Sequence, residues 1–147
     1  PLFLNQKKES KTFTITDKNM TRFNITLDES VKFVNMCISK MKGGEIFVPK
    51  IPSYRILDLL NAIKKNPKYK VIGVRPGEKL HEEMITESDS MYSEEFKNYY
   101  VIHPSFRKYN NKNKKTFSYN SLRNNKFLKV AEIKELIEKN LNELNND

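Results

Sequence analysis

The sequence lacks features that whole classes of protein require. None of its apolar runs approaches the roughly 18 residues needed to span a bilayer, and its first residues lack the apolar core of a secretory signal. A single cysteine, Cys37, excludes an internal disulfide bond and fits a reducing compartment. We therefore expect a cytoplasmic protein without membrane contact. The 147 residues, 37% hydrophobic and 31% charged, suffice for one modest core.

Glycine is also scarce. The only four are Gly43, Gly44, Gly73 and Gly77. They form neither a Gly-x-Gly-x-x-Gly nor a Gly-x-x-Gly-x-x-Gly pattern. Either pattern would let the backbone approach a pyrophosphate at a helix N-terminus. The sequence therefore predicts no cofactor-binding residues in this chain. It predicts no metal ligands either, because His81 and His103 stand alone and Cys37 has no thiol or imidazole nearby.

The net charge of +9 comes almost entirely from one segment, residues 105–129, which has eight basic residues and no acidic one. The basic residues are Arg107, Lys108, Lys112, Lys114, Lys115, Arg123, Lys126 and Lys129. Asparagines are interleaved with them, a composition typical of a solvated loop. We favour that interpretation and expect no nucleic-acid partner. The alternative is a basic module that binds nucleic acid, whose affinity would fall steeply with salt.

The clearest helix signal begins at Thr26, because Thr26 and Glu29 have the spacing of a capping box. Apolar residues then recur every three or four positions and predict one buried face. They are Leu27, Val31, Val34, Ile38 and Met41. The pair Gly43-Gly44 is expected to end the helix.

The remaining pattern predicts an α/β chain of short strands and helices. Strands are expected near residues 12–15, 23–25, 45–48, 69–72 and 99–102, and a helical turn over 79–84. A second helix is expected to begin at an N-cap Ser53 and to bury a face over 56–63. A terminal amphipathic helix is expected over 130–147.

Two segments predict ligand contacts. Arg22 lies between a turn and a strand, and Arg75 follows the carboxyl end of a strand, the edge where α/β sheets usually bind ligands. The planar guanidinium suits a diphosphate because it makes two charge-assisted hydrogen bonds at once. Glu78 could accept from vicinal hydroxyls such as those of a ribose. The alternative is ordinary surface ion pairing of both arginines with Asp28, Glu78 or Glu82.

Several motifs in fixed order carry a resemblance to a known family. They are Met-Thr-Arg-Phe at 20–23, Ile-Thr-Leu-Asp-Glu at 25–29, Gly-Gly-Glu-Ile-Phe-Val-Pro-Lys-Ile-Pro-Ser at 43–53 and Ile-Gly-Val-Arg-Pro-Gly-Glu-Lys-Leu-His-Glu at 72–82. Together they closely resemble the C-terminal part of the inverting UDP-N-acetylglucosamine 4,6-dehydratases, which are extended short-chain dehydrogenase/reductases. The likeness extends over nearly the whole chain.

The resemblance implies an α/β fold that is the substrate-binding portion of such an enzyme, without the N-terminal Rossmann domain. The complete enzyme would bind NADP in that domain and convert UDP-N-acetylglucosamine to a UDP-4-keto-6-deoxy sugar with inversion at C5. It would serve surface-polysaccharide or flagellin-glycan synthesis and form a homo-oligomer. The family's catalytic Tyr-x-x-x-Lys does not occur here, so we predict that this chain alone is inactive.

The resemblance assigns three residues to UDP-sugar binding. Arg22 and Arg75 would lie near the diphosphate, and Glu78 would contact the uridine ribose. Asn24 and Phe127 stand where relatives often have Trp, and Lys129 stands where they often have a helix N-cap, so the last helix could fray at its start. We expect a sugar-binding portion over 1–104, a basic loop over 105–129 and a helix over 130–147. A related nucleotide-sugar 4-epimerase or retaining dehydratase is the alternative within the superfamily.

Overall fold

The computed structural model describes residues 2–9, 12–106 and 115–144. These ranges form helices and short strands in mixed order. The helices are α1 (Leu2–Lys8), α2 (Leu27–Lys40), α3 (Ile56–Ile63), α4 (Glu87–Ser90) and α5 (Val130–Leu144). The strands are β1 (Phe13–Ile15), β2 (Thr21–Phe23), β3 (Ile46–Pro49), β4 (Ser53–Arg55), β5 (Tyr69–Val71), β6 (Glu83–Ile85), β7 (Ser93–Glu95), β8 (Tyr99–Ile102) and β9 (Tyr119–Asn120). The mixed α/β class predicted from the sequence is confirmed.

The strands pair in four small sheets. β1 and β5 are parallel, whereas β2 pairs antiparallel with β4 and β6 with β9. The largest sheet has the order β3-β8-β7 and is antiparallel throughout. Because several pairs join segments far apart in sequence, they bring the ligand-binding candidates into one region.

The main core lies between β1 and α3. Phe13 and Ile15 of β1 pack with Ile56, Leu60 and Ile63 of α3, and Leu60 is fully buried. Helix α5 packs along α3, with Ile137 reaching the edge of this core. A second, smaller cluster contains Val48, Ile85 and Tyr119. The chain thus buries two modest cores.

Helix α2 confirms the predicted start. The Thr26 hydroxyl accepts from the Glu29 N–H at 3.2 Å, and the Glu29 carboxylate accepts from the Thr26 N–H at 2.9 Å. The predicted burial of its apolar face is wrong: Leu27, Val31, Val34, Ile38 and Met41, here named the α2 stripe, are between 52% and 78% exposed. Apolar periodicity shows which side chains share a helix face, but it does not show what covers that face.

Two further expectations are wrong, and one helix was not predicted. Ser53 does not cap α3. It is a buried residue of β4, and Arg55 occupies the cap position without a side-chain cap bond. The helical turn expected over 79–84 is absent, because residues 83–85 extend as β6 and pair with β9 from much later in the chain. Helix α1 was not anticipated.

The last helix differs from expectation at its start. The Glu132 carboxylate accepts from the Lys129 N–H at 2.7 Å, so this end is held despite the missing N-cap side chain. Residues 107–114 of the predicted basic loop and 145–147 of the predicted helix lie outside the described ranges. Within those ranges, no helix is long and apolar enough to cross a bilayer.

Candidate functional site

The three residues predicted to bind ligand line one cavity. Arg22 of β2 and both Arg75 and Glu78 of the loop after β5 border an open space of about 550 Å³. Its walls also include Thr16, which follows β1, and Tyr54 of β4. The parallel pairing of β1 with β5 explains the convergence, because both strands deliver their following loops to the same edge. The cavity therefore has a polar side built from loops and an apolar side built from α1 and α3.

Arg22 is held from several directions. Its Nη1 donates to the carbonyl oxygens of Thr21 at 2.8 Å and Leu80 at 3.1 Å. Its Nε lies 3.4 Å from Glu82 Oε1, and its Nη2 lies 3.9 Å from Glu78 Oε1. The side chain is only 20% exposed. Pairing with Glu78 and Glu82 matches part of the ion-pair alternative, but it occurs at the wall of a cavity.

Arg75 begins a tight turn. The Glu78 N–H donates to the Arg75 carbonyl at 3.0 Å across Pro76 and Gly77, and Gly77 has φ +80°. A type II turn requires a positive φ at its third residue, which glycine supplies, and often has proline at its second. Arg75 is exposed, and no carboxylate of the described residues lies within ion-pair distance of its guanidinium. The turn thus presents at the cavity a cation that has no carboxylate partner in the described part of the chain.

Glu78 links the two arginines. Its Oε1 accepts from the Thr16 hydroxyl at 3.2 Å and lies near Arg22, while its Oε2 accepts from the Arg75 N–H at 3.3 Å. A carboxylate offers about four lone-pair directions, so these contacts leave capacity to accept from a ligand hydroxyl. Glu78 therefore both holds the turn and offers an acceptor.

A buried hydroxyl pair fixes the backbone behind the site. The Oγ atoms of Thr21 and Ser121 are 2.7 Å apart, and Thr21 Oγ1 is 2.8 Å from His81 Nδ1. Ser121 Oγ also accepts from the Glu82 N–H at 2.9 Å. These bonds tie β2, which carries Arg22, to the end of the loop that carries Arg75 and Glu78.

Sequence reasoning missed two residues that line the cavity, Thr16 and Tyr54, and gave Glu82, which contacts Arg22, no role at the site. Thr16 bonds Glu78, Glu82 faces Arg22, and Tyr54 stands opposite Arg22 in the β2–β4 pairing. Burial raises the pKa of the Tyr54 phenol above its usual 10.0, and the Arg22 charge partly opposes that rise. Glu82 lies within the same motif as Glu78 and was considered only as an ion-pair partner. Nothing local in the sequence points to Tyr54.

The two departures from the family pattern lie close to this region. Asn24 lines a separate groove of about 830 Å³ between α1 and α5, and its N–H donates to the Pro52 carbonyl at 2.8 Å. The Phe127 ring lies under the Arg55 guanidinium, whose carbon is 4.3 Å from the ring centroid. Phe127 thus retains an aromatic contact, whereas Asn24 borders open space.

The described residues form no dinucleotide-binding loop. All four glycines have positive φ, but none lies in a loop that leads from a strand into a helix N-terminus, where a pyrophosphate would bind. Among the described residues, no three His, Cys, Asp or Glu side chains are grouped as metal ligands would be.

Comparison with known proteins supplies the context. Residues 1–104 match the family model described as polysaccharide biosynthesis protein. The inverting UDP-N-acetylglucosamine 4,6-dehydratase of Campylobacter jejuni subsp. jejuni serotype O:2 is 53% identical over 98 residues, covering 67% of this chain and 29% of that protein. The UDP-glucose 4-epimerase of Rickettsia felis is 33% identical, covering 93% and 44%.

Two further matches extend over most of the chain. The uncharacterized membrane protein MJ1061 of Methanocaldococcus jannaschii is 40% identical, covering 93% of this chain and 44% of that protein. The X-ray structure of Pen from Bacillus thuringiensis superposes with a TM-score of 0.79 at 32% identity, covering 95% of this chain and 44% of that one. The chain spans less than half the length of each of these relatives.

Proposed function

The chain belongs to the polysaccharide biosynthesis protein family, and from that premise we propose that it binds the nucleotide part of a UDP-sugar. The resemblance to inverting dehydratases noted in the sequence is confirmed. Relatives named as a UDP-N-acetylglucosamine dehydratase and as a UDP-glucose epimerase share a UDP-sugar substrate. The relatives therefore support the UDP group of the proposed ligand most directly.

The convergence of Arg22, Arg75 and Glu78 on one cavity is the observation that carries the proposal. Two guanidinium groups beside a carboxylate match a nucleoside diphosphate, whose phosphates carry charge and whose ribose offers hydroxyl donors. We assign the diphosphate to both arginines and the ribose to Glu78. Because no carboxylate of the described residues pairs with Arg75, none of them has to be displaced before the guanidinium contacts phosphate.

For the complete enzyme we propose an NADP-dependent dehydratase. It would convert UDP-N-acetylglucosamine to a UDP-4-keto-6-deoxy sugar with inversion at C5, in the cytoplasm, as a homo-oligomer, for surface polysaccharide or flagellin glycans. The residues of this chain bind and orient the substrate. Because it contains no Tyr-x-x-x-Lys and no cofactor-binding glycine loop, we expect the 147-residue chain to show no turnover of UDP-N-acetylglucosamine with NADP.

Calorimetric titration of the 147-residue chain with UDP tests the binding step. Loss of a charge-assisted hydrogen bond costs about 1.5–3 kcal/mol, so Arg75→Ala is expected to weaken UDP binding by about 10- to 100-fold. Lys79→Ala is the matched control, because Lys79 is an exposed cation four residues on that does not line the cavity. Equal affinities for the two variants, or no UDP binding by the unaltered chain, would overturn the proposal.

A further inference from the structure

Tyr54 is a cavity residue to which the proposed UDP contacts assign no role. It lies directly opposite Arg22 in the antiparallel pairing of β2 with β4. Directly opposite residues of such a pair project from the same face, with their Cβ atoms about 5 Å apart. The Tyr54 phenol and the Arg22 guanidinium therefore leave the β2–β4 pair on one side, and both line the cavity.

The ring and the hydroxyl of Tyr54 have different surroundings. The ring is partly buried and packs against the main core formed by β1 and α3. The hydroxyl has no hydrogen-bond partner in the described part of the chain. By contrast, the Tyr119 hydroxyl accepts from the Ile51 N–H at 3.0 Å and donates to the Ile51 carbonyl at 3.1 Å. Because the hydroxyl of a buried tyrosine usually has a partner, the Tyr54 hydroxyl is available to a ligand.

The charge nearest Tyr54 indicates from which side a ligand would approach. Tyr54 borders both the cavity and the groove between α1 and α5, whereas Arg22 lines the cavity but not the groove. Burial raises the pKa of the Tyr54 phenol above 10.0, and the Arg22 charge acts on the phenol in the opposite sense. The hydroxyl therefore stays protonated at neutral pH, and it can donate a hydrogen bond on the side where Arg22 attracts an anion.

A phosphate group is the chemistry that these two side chains fit together. The guanidinium supplies positive charge and donors in a planar fork, and the neutral phenol supplies one more donor without adding charge. Because Arg22 and Tyr54 stand opposite each other on one face, a single phosphate can contact both. A ribose hydroxyl is better served by Glu78, since a carboxylate only accepts hydrogen bonds.

We propose that the Tyr54 hydroxyl is a fourth ligand contact, which donates a hydrogen bond to the phosphate group that Arg22 holds. The inference rests on the proposed UDP binding and extends the binding surface to β4. It also gives the unpartnered hydroxyl of a partly buried tyrosine a hydrogen-bond acceptor.

Calorimetric titration of Tyr54→Phe with UDP tests this contact. The substitution keeps the ring against the core and removes only the hydroxyl, so we expect UDP affinity to fall about five- to tenfold while the urea midpoint stays unchanged. Tyr92→Phe is the matched control and should bind UDP like the unaltered chain, because Tyr92 is 44% exposed and does not line the cavity. Phosphorus NMR of bound UDP gives a second measurement: its resonances should shift in Tyr54→Phe and stay in place in Tyr92→Phe.

Each other outcome overturns the contact. Equal UDP affinities of Tyr54→Phe and Tyr92→Phe would show that the hydroxyl does not bind the ligand. Weaker binding with unchanged phosphorus resonances would assign the hydroxyl to the nucleoside and not to the phosphate. A lower urea midpoint of Tyr54→Phe would show that the hydroxyl serves the fold. In all three cases the unaltered chain still binds UDP, whereas the absence of UDP binding by the unaltered chain would overturn the proposed function and this contact with it.

Discussion

Charge compensation distinguishes the two arginines of the cavity. Arg22 faces two carboxylates and uses further N–H groups on backbone carbonyls, whereas Arg75 has no carboxylate near it among the described residues. A diphosphate would therefore meet Arg75 as a free cation, but it would compete with Glu82 and Glu78 for Arg22. The two residues are expected to contribute unequally to binding.

Removal of the Glu82 charge should strengthen UDP binding. Glu82 Oε1 lies 3.4 Å from Arg22 Nε, so Glu82→Gln releases the guanidinium from a competing anion and lowers repulsion of the phosphates. A partly exposed ion pair is worth about 0.5–1 kcal/mol, which predicts a gain of roughly two- to fivefold in affinity by calorimetry.

The control for this change is Glu135→Gln. Glu135 is an exposed residue of α5, so its replacement alters net charge equally without touching the cavity. Equal gains for both variants would indicate long-range attraction of the anion and not competition at Arg22. Weaker binding by Glu82→Gln would contradict the competition outright.

Part of this site was predictable from the sequence. The Arg-Pro-Gly-Glu turn is local, because proline and glycine at adjacent positions are enough to specify it. The position of Arg22 beside that turn depends on the Thr21 N–H donating to the Leu80 carbonyl, and the sequence predicts no such pairing. Thr16 and Tyr54 enter the cavity by the same kind of nonlocal contact.

At the scale of elements, local signals were more reliable than patterns that depend on partners. The start of α2 needed only Thr26 and Glu29, three residues apart, and it was predicted correctly. β6 is stabilised by its pairing with β9, which is distant in sequence. The local sequence of residues 83–85 therefore does not predict a strand. Burial of the α2 stripe depends on a surface that these residues do not supply.

The capping box predicts a pH dependence of stability. Hydrogen bonds from the Thr26 backbone and side chain lower the pKa of Glu29 below its ordinary value of 4.5. A lowered folded-state pKa means that the ionised carboxylate stabilises the fold fully above about pH 4.5, and that this stabilisation is lost as pH falls through the folded-state pKa. Acid should therefore weaken this helix end.

Urea unfolding of Glu29→Gln measures that contribution. We expect a loss of about 0.5–1 kcal/mol at pH 7, with the difference from the unaltered chain shrinking progressively below pH 4.5. Glu135→Gln should show a smaller effect at pH 7, since its carboxylate caps no helix. A Glu29→Gln difference that persists unchanged at low pH would show that the charge is not responsible.

In the molecule as a whole, side-chain hydrogen bonds connect segments that the short sheets do not join. Three of the four sheets have only two strands, and the described cores are small. Ser121 is fully buried and contacts both β2 and the end of the cavity loop, segments that are distant from it in sequence. Such a contact should stabilise the cavity and the fold together.

Ser121→Ala tests this connection at the scale of the whole fold. The change leaves the Glu82 N–H without its Ser121 acceptor and leaves the Thr21 hydroxyl with His81 as its remaining side-chain partner, which costs about 1–3 kcal/mol. We expect a lower urea midpoint and weaker UDP binding, because β2 and the loop after β5 would no longer be held together.

Ser105→Ala, at an exposed position, should change stability by less than about 0.5 kcal/mol. If both variants unfold at the same urea concentration, the hydroxyl network does not connect these segments. If Ser121→Ala loses stability but binds UDP normally, the network stabilises the fold without positioning Arg22.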